Sequence, residues 1–182
     1  MKVISGKYKG RALKGFLING TRPTMDRVKE SVFAMIQDYI KDSIVLDLYS
    51  GSGNLAIEAI SNGAKYAYLV DNSKDAIKMI KSNINMLNIN NAIVIEDNSK
   101  RALNNLIDNG VSFNIVFLDP PYLTDELDNI LKILNENHDK LNKDILIICE
   151  TTLNIDYNIY NNFKIYKQKK YGDKIVTILK MA

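Results

Sequence analysis

Residues 44–59 read IVLDLYSGSGNLAIEA, an apolar run followed by glycines and then by a segment with helical spacing. This order predicts a buried strand that turns tightly at Gly51 and Gly53 and then enters a helix. In open α/β sheets, such a turn lets the backbone approach a ligand closely near the N-terminus of the helix. The stretch therefore predicts a parallel sheet with a nucleotide-like cofactor at the end of its first strand.

The alternation of strand and helix continues along the chain. Further short apolar runs lie at residues 66–70, 92–95, 115–118 and 145–149. Segments with helical spacing lie at about 53–62, 73–88, 99–108 and 124–137, and another covers 24–40 with Thr24 as its expected N-cap. Strands that alternate with helices form a largely parallel sheet that is covered on both faces.

The last residues break this alternation. The sequence FKIYKQKKYGDKIVTILK, residues 163–180, predicts an antiparallel hairpin that turns near Gly172 and Asp173. No linker rich in Pro, Gly or Ser and no internal repeat divides the chain. The expected fold class is therefore α/β and Rossmann-like, with a mostly parallel central sheet, helices on both faces and a C-terminal antiparallel hairpin.

The bulk composition fits one globular domain in the cytoplasm. The chain has 182 residues, 46% of them hydrophobic and 25% charged, which is enough for one substantial core. It contains no run of about 18 uncharged apolar residues that could cross a membrane, and its basic opening lacks the apolar stretch of a secretory signal. The single cysteine, Cys149, excludes a disulfide within the chain and predicts a buried thiol.

Basic residues are concentrated at both ends of the chain. Residues 1–41 carry nine Lys or Arg against three acids, residues 42–163 carry nine against seventeen, and residues 164–182 carry six against one. A polyanion such as nucleic acid is attracted to a surface of this kind by counterion release. A solvated basic edge is the alternative, and the run KQKK at 167–170 fits either interpretation.

The glycine motif allows two kinds of cofactor. GSGNLA fits the dinucleotide pattern G-x-G-x-x-A, and Asp71 ends the next strand where the ribose acid of that pattern is expected, which favours an NAD-binding oxidoreductase. Asp47, at the end of the first strand, argues against it because an acid there repels a pyrophosphate. An acid can instead accept a hydrogen bond from a cationic amino-acid group, and S-adenosylmethionine carries that group and no phosphate.

Two further acids follow predicted strands and extend the cofactor hypothesis. Asp71 has two acceptor oxygens for the two ribose hydroxyls, and Asp97 can accept from the adenine amine with Asn98 beside it. Ligands of open α/β sheets bind outside the carboxyl ends of the strands, so these acids are expected to converge. The alternative is helix N-capping, because both DNS triplets precede a predicted helix.

The fourth apolar run ends in DPPY, residues 119–122. The prolines make the turn rigid and remove two N–H donors, which leaves the Asp119 carboxylate and the Pro120 carbonyl as acceptors. Such acceptors suit an NH2 group whose nitrogen attacks an electrophilic methyl group, with Tyr122 as a flat surface for stacking. The alternative is a plain strand-ending turn.

The chain resembles the bacterial guanine-N2 methyltransferases that modify 16S ribosomal RNA, within the class I S-adenosylmethionine-dependent superfamily. The segments that carry the resemblance are ISGKYKGRAL, TRPTMDRVKESVF, LDLYSGSGNLAIEAISNGA, IVFLDPPY, CETT and YGDKIVTIL. The glycine motif and DPPY are shared widely by amino methyltransferases, whereas the opening and RPTMDRVKES are more specific. The resemblance implies a basic N-terminal β-hairpin extension, residues 1–20, before a methyltransferase domain, residues 21–182.

The resemblance also implies roles for individual residues. Cofactor contact is implied for Asp47, Tyr49, Gly51, Gly53, Asp71, Asn72, Asp97 and Asn98. The catalytic group is Asp119, Pro120, Pro121 and Tyr122. The implied RNA contacts are Lys7, Lys9 and Arg11 of the basic opening together with Arg22 and Arg27, whose segment is implied to hold the cofactor or the RNA. Tyr122 stands where many relatives have Phe, which preserves stacking, and Tyr8 stands where many have Trp.

Several other functions remain open at the level of sequence. DPPY also serves DNA adenine methyltransferases, although these usually carry an added target-recognition domain. A protein-glutamine methyltransferase is disfavoured because an Asn usually opens its motif. A noncatalytic RNA-binding module is the alternative outside enzymes. The expected partner is 16S rRNA or the small ribosomal subunit, and the expected state is a monomer without a metal site, with Glu150 as a capping or packing residue.

Overall fold

The computed structural model describes residues 1–16, 22–122 and 124–182, without the side chains of residues 22–25. The strands are β1 (Ile44–Asp47), β2 (Tyr66–Asp71), β3 (Ala92–Glu96), β4 (Ile115–Leu118), β5 (Leu146–Thr151), β6 (Phe163–Tyr171) and β7 (Lys174–Met181). They form a seven-stranded sheet in the order β3-β2-β1-β4-β5-β7-β6. The helices are α1 (Arg22–Ile40), α2 (Asn54–Ser61), α3 (Lys74–Leu87), α4 (Ser99–Asp108) and α5 (Glu126–Glu136), with short 3-10 helices at His138–Lys140 and Tyr157–Ile159.

The first five strands are parallel and are covered by helices on both faces. Because successive strand residues point to opposite faces, Val45 and Phe117 belong to one core cluster while Leu46 and Val116 belong to the other. Helices α1, α2 and α3 contribute to the first cluster, and α4 and α5 contribute to the second. This arrangement confirms the predicted fold class. Cys149 is fully buried, as predicted.

The C-terminal hairpin completes the sheet. β7 runs antiparallel to both β5 and β6, and Tyr171 pairs with Lys174 across a two-residue turn. The predicted turn at Gly172 and Asp173 is confirmed. Because Thr151 of β5 pairs with Ile175 of β7, this turn lies at the carboxyl ends of the parallel strands, where ligands of such sheets bind.

The N-terminal segment, residues 1–13, folds back on itself and docks on α2. Lys2 and Ala12 form a single antiparallel bridge rather than two paired strands, while Val3 and Leu13 are buried in the core. Glu58 of α2 is fully buried and accepts hydrogen bonds from the backbone N–H groups of Ile4 and Ser5 at 2.9 Å. The division of the chain at residues 20 and 21 remains a prediction.

Helix α1 begins earlier than predicted. The sequence pattern placed its N-cap at Thr24, whereas the helix starts at Arg22, so Thr24 lies within its first turn. Pro23 is compatible with this start because proline is tolerated in the first turn of a helix. Within the described residues, no helix is long and apolar enough to cross a membrane.

Candidate active site

A cavity of about 1050 Å³ opens at the carboxyl ends of the parallel strands. The residues predicted for the site that line it are Tyr49, Asp71, Asn72, Asp97, Asn98, Asp119, Pro120, Pro121 and Tyr122. Other residues line the cavity that the sequence did not predict for the site: Phe16, Leu48, Ser99, Glu126, Thr152, Tyr171, Gly172, Asp173 and Lys174. The sheet therefore brings residues from the ends of all five parallel strands and from the C-terminal hairpin into one cleft.

Asp47 ends β1 directly before Leu48 and Tyr49, which line the cavity. Its side chain is only 2% exposed, and its Oδ2 atom has no hydrogen-bond partner among the described residues. Burial raises the pKa of Asp47 to about 7, and the nearby charge of Asp71 adds to this effect. A buried acceptor without a partner is costly, so this carboxylate suits a ligand that brings a donor.

The glycine turn connects Asp47 to helix α2. Gly51 and Gly53 both have positive φ, +55° and +81°, which disfavours residues with a side chain. A Cβ atom at Gly53 would lie 3.1 Å from Leu69 and 3.3 Å from Ile57, whereas nothing lies within 4 Å of one at Gly51. Gly53 therefore packs against the core, and Gly51 leaves room for close approach of a ligand.

Asp71, at the end of β2, joins the glycine turn to the start of α3. Its Oδ2 atom accepts from the Gly51 N–H and its Oδ1 atom from the Ser73 N–H, both at 2.9 Å. A carboxylate has about four acceptor positions, so each oxygen can accept one more hydrogen bond. Ser73, rather than Asp71, is the N-cap of α3.

Asp97 follows β3 and is partly buried. Its Oδ1 atom accepts from Asn98 N–H at 2.7 Å and from Arg101 Nε at 2.6 Å, and Arg101 lowers the pKa of Asp97. Asn98 caps α4 through its side-chain oxygen. The alternative of N-capping is therefore wrong for both acids, because Ser73 and Asn98 supply the caps.

Tyr49 forms a side wall of the cavity. Its hydroxyl donates to Glu126 Oε2 at 2.9 Å and lies 3.2 Å from Ser99 Oγ, which also donates to Glu126 Oε2 at 3.1 Å. Burial raises the pKa of Tyr49, so its hydroxyl keeps its proton. Ser99 and Glu126 therefore fix the Tyr49 ring beside the residues that are candidates for cofactor binding.

Asp119 follows β4 and lies partly buried in the cavity, next to the buried Pro120. Burial raises the pKa of Asp119 to about 7, and the charge of Glu150 raises it further, while Lys174 opposes this effect. Near neutral pH, Asp119 can therefore both hold a donor and take up a proton.

Tyr122 is held at the mouth of the cavity and is 44% exposed. Its hydroxyl donates to Glu150 Oε1 at 3.2 Å, and the same oxygen forms an ion pair with Lys174. Lys174 Nζ lies 5.6 Å from the centroid of the Tyr122 ring. Glu150, which the sequence suggested as a capping or packing residue, links the DPPY turn to the C-terminal hairpin.

The sequence did contain a signal for Glu150 and Lys174. Glu150 is an acid near the carboxyl end of a buried strand, as Asp47, Asp71 and Asp119 are, and Lys174 follows the predicted hairpin turn. What the sequence lacked was the order of the strands, which places β7 beside β5 and so brings the two residues together.

Four of the five predicted RNA contacts lie on the surface. Lys7, Lys9, Arg11 and Arg27 are exposed, and none of the four lines the cavity. The side chain of Arg22 lies outside the described residues. Phe16, which follows the basic opening, is 48% exposed and does line the cavity. The roles of these residues toward RNA stay predictions.

Comparisons with known proteins place the chain in a family. The family model described as "Conserved hypothetical protein 95" matches residues 1–180. "Ribosomal RNA small subunit methyltransferase D" of Buchnera aphidicola (subspecies Acyrthosiphon pisum) is 34% identical over 92% of this chain and 86% of its own. The protein of the same name from Escherichia coli K12 is 30% identical over 94% and 85%.

A solved structure of a conserved hypothetical protein from Streptococcus pyogenes has the same fold. It matches 85% of this chain and 95% of its own with a TM-score of 0.72 and 32% identity. The names of the curated relatives agree with the resemblance that the segments from ISGKYKGRAL to YGDKIVTIL carry. The chain therefore belongs to the family described as Conserved hypothetical protein 95.

Proposed function

We propose that this protein transfers a methyl group from S-adenosylmethionine to the exocyclic N2 amine of a guanine in 16S ribosomal RNA. The observation that carries the proposal is the position of Asp119 and Pro120 in the same cavity as Asp71 and Asp97. The names of the curated relatives support ribosomal RNA of the small subunit as the substrate class. A base would enter the cavity after it is flipped out of its stack.

The residues at the strand ends fit the proposed cofactor. Asp47 offers a buried acceptor without a partner to the amino group, and the free acceptor positions of Asp71 suit the ribose hydroxyls. Asp97 would accept from the adenine amine, with its Oδ2 atom still available among the described contacts. When bound, S-adenosylmethionine supplies a methyl group on a sulfonium sulfur that leaves as a neutral thioether.

Asp119 and Pro120 would hold the target amine. The Asp119 carboxylate and the Pro120 carbonyl each accept a hydrogen bond from one N–H of the amine, which leaves the nitrogen lone pair directed at the methyl carbon. As the N–C bond forms, the nitrogen becomes positively charged and must lose one proton. Asp119, with a pKa of about 7, can accept that proton and release it to water. Tyr122 would stack on the base and fix its plane.

Parallel methyl-transfer assays test this proposal. Unmodified small ribosomal subunits, naked 16S RNA and duplex DNA are incubated with the protein and labelled S-adenosylmethionine, and the products are digested to nucleosides. We expect label in N2-methylguanosine from the ribosomal samples. Label in DNA alone, recovered as N6-methyl-2′-deoxyadenosine, would support the DNA adenine methyltransferase instead. The absence of label in all three would contradict methyl transfer to nucleic acid.

A further inference from the structure

One positive charge stands among the acids of the cavity. Among the described lining residues, Lys174 is the one Lys or Arg, whereas the acids are Asp71, Asp97, Asp119, Glu126 and Asp173. Lys174 begins β7 and is held by Glu150 of the neighbouring β5. The proposed methyl transfer assigns no task to either residue. Lys174 lines the cavity with Asp119, and Glu150, whose side chain is 15% exposed, follows Cys149, the β5 partner of Leu118.

Glu150 and Lys174 keep hydrogen-bonding capacity for a ligand. Glu150 uses Oε1 for Tyr122 and Lys174, and its Oε2 atom accepts no hydrogen bond from the described residues. An ammonium group has three donors, and the ion pair with Glu150 uses one of them. Because Lys174 Nζ lies 5.6 Å from the Tyr122 ring centroid, a base stacked on that ring comes within reach of both.

The carboxylates of Asp119 and Glu150 and the ammonium group of Lys174 match the Watson–Crick edge of one base better than those of the others. The Watson–Crick edge of guanine presents the N2 amine, then the N1–H donor, then the O6 acceptor. Adenine presents its amine followed by the N1 acceptor, and cytosine presents its amine followed by two acceptors. Asp119 and Glu150 directly follow Leu118 and Cys149, which pair on the neighbouring strands β4 and β5, and Lys174 is ion-paired to Glu150. Two carboxylates followed by a cation complement donor, donor and acceptor.

We infer that Glu150 and Lys174 select guanine as the target base, with Glu150 accepting from N1–H and Lys174 donating to O6. This inference rests on the proposed function, because it assumes that the N2 amine lies at Asp119. Tight binding of this kind discriminates strongly, since a base that lacks the matching group leaves buried polar atoms without partners.

An RNA with a modified target base shows whether Glu150 and Lys174 recognise the base or only hold the Tyr122 side chain in place. After the methylated guanine has been mapped, it is replaced by 2-aminopurine, which keeps the amine at C2 but lacks O6 and N1–H. Single-turnover methylation of both RNAs is measured at about pH 8.5, above the pKa of about 7 of Asp119 so that this group is ionised. The proteins are the wild type, Lys174→Met, Glu150→Gln and the exposed control Lys78→Met. We expect the wild type to react at least about tenfold more slowly with 2-aminopurine RNA.

The variants decide the inference. Lys174→Met and Glu150→Gln should lose about tenfold or more on guanine RNA and change little on 2-aminopurine RNA, while Lys78→Met should match the wild type on both. Equal losses on the two RNAs would overturn the inference, because they would mean that the pair only holds Tyr122. A wild type that methylates no RNA contradicts the proposed function itself, so the two failures are distinguishable.

Discussion

At the scale of single residues, burial sets the chemistry of Asp47 and Asp119. Both carboxyl groups have a pKa raised to about 7, in each case chiefly because burial disfavours the charged form. A neighbouring negative charge adds to the effect of burial in each case, that of Asp71 at Asp47 and that of Glu150 at Asp119. Raised pKa values in a cleft are typical of functional sites, and they make both residues sensitive to pH near neutrality.

Asp47→Asn should stabilise the protein without cofactor while it weakens cofactor binding. The native carboxyl binds its proton more tightly than the unfolded one, so its stabilising effect is present at low pH and is lost as pH rises through about 7. The melting temperature of the variant should therefore exceed that of the wild type at pH 8, and this difference should be smaller at pH 5. Calorimetric unfolding at both pH values measures this, and an equal difference at the two would contradict it.

Asp119 should give the reaction a pH dependence. The carboxylate must be ionised to hold the amine, so kcat/KM for RNA at saturating cofactor should fall about tenfold per pH unit below pH 7. Glu150→Gln removes a charge that raises the pKa of Asp119, so its profile should shift to lower pH. The rates of both proteins between pH 5.5 and 9 test this, and coincident profiles would exclude the effect of Glu150.

Sequence reasoning located the acids of the site but not their partners. Asp47, Asp71, Asp97 and Asp119 are recognisable because each ends or follows an apolar run. Lys174 could not be assigned, since its contact with Glu150 depends on the pairing of β5 with β7. Glu58 escaped notice because an acid in a helix is usually exposed, and its burial depends on a docked segment more than 50 residues away.

At the scale of elements, a buried ion pair fastens the N-terminal segment to α2. Lys29 of α1 and Glu58 of α2 lie 2.9 Å apart with side chains 2% and 1% exposed. Lys29 Nζ also donates to the Lys2 carbonyl and to Asn54 Oδ1 at 2.7 Å. The pair therefore connects α1, the start of α2 and the basic opening of the chain.

Lys29→Met should lower the free energy of unfolding by about 3 kcal/mol, because it leaves Glu58 buried without its counter-ion. The matched control is Lys132→Met, which breaks an ion pair with Asp128 whose side chains are 58% and 38% exposed and should cost less than about 1 kcal/mol. Urea unfolding of the two variants and the wild type measures both effects. Similar losses would contradict the structural role of Lys29.

The elements themselves were largely predictable from sequence. The predicted strands and helices of the sheet domain are all present, because apolar runs and helical spacing reflect the two faces of a covered sheet. The β-hairpin expected at the N-terminus is reduced to a single bridge between Lys2 and Ala12. The start of α1 was predicted two residues too late because Thr24 is a typical N-cap residue. The order of the strands could not be obtained from periodicity, which carries no information on which strands pair.

At the scale of the whole molecule, the sheet order turns distant residues into one site. Asp47, Asp71, Asp97 and Asp119 span more than 70 residues of sequence, yet parallel strands place all four at one edge of the sheet. The basic opening docks on α2, the helix that begins at the glycine turn. An RNA bound along that opening would therefore lie close to the element that supports the cofactor.

Replacement of Lys7, Lys9 and Arg11 by Ala should weaken RNA binding without affecting the cofactor. All three are exposed, so their loss should remove phosphate contacts. For single-stranded RNA, the slope of the logarithm of the association constant against the logarithm of the salt concentration should become less negative by about two. The control replaces the α3 lysines Lys74, Lys78 and Lys81, which are exposed on a helix. Binding titrations at several salt concentrations measure this, and an unchanged slope would exclude the opening as an RNA contact.

Methyl transfer by Asp119→Ala tests whether the DPPY turn holds the target amine. The wild type and the variant are incubated with 16S RNA and labelled S-adenosylmethionine, and RNA binding is measured on the same samples. The wild type should form N2-methylguanosine, and the variant should bind RNA nearly as well but transfer no detectable methyl group. Undiminished transfer by the variant would contradict the assignment of the DPPY turn as the place where the amine is held.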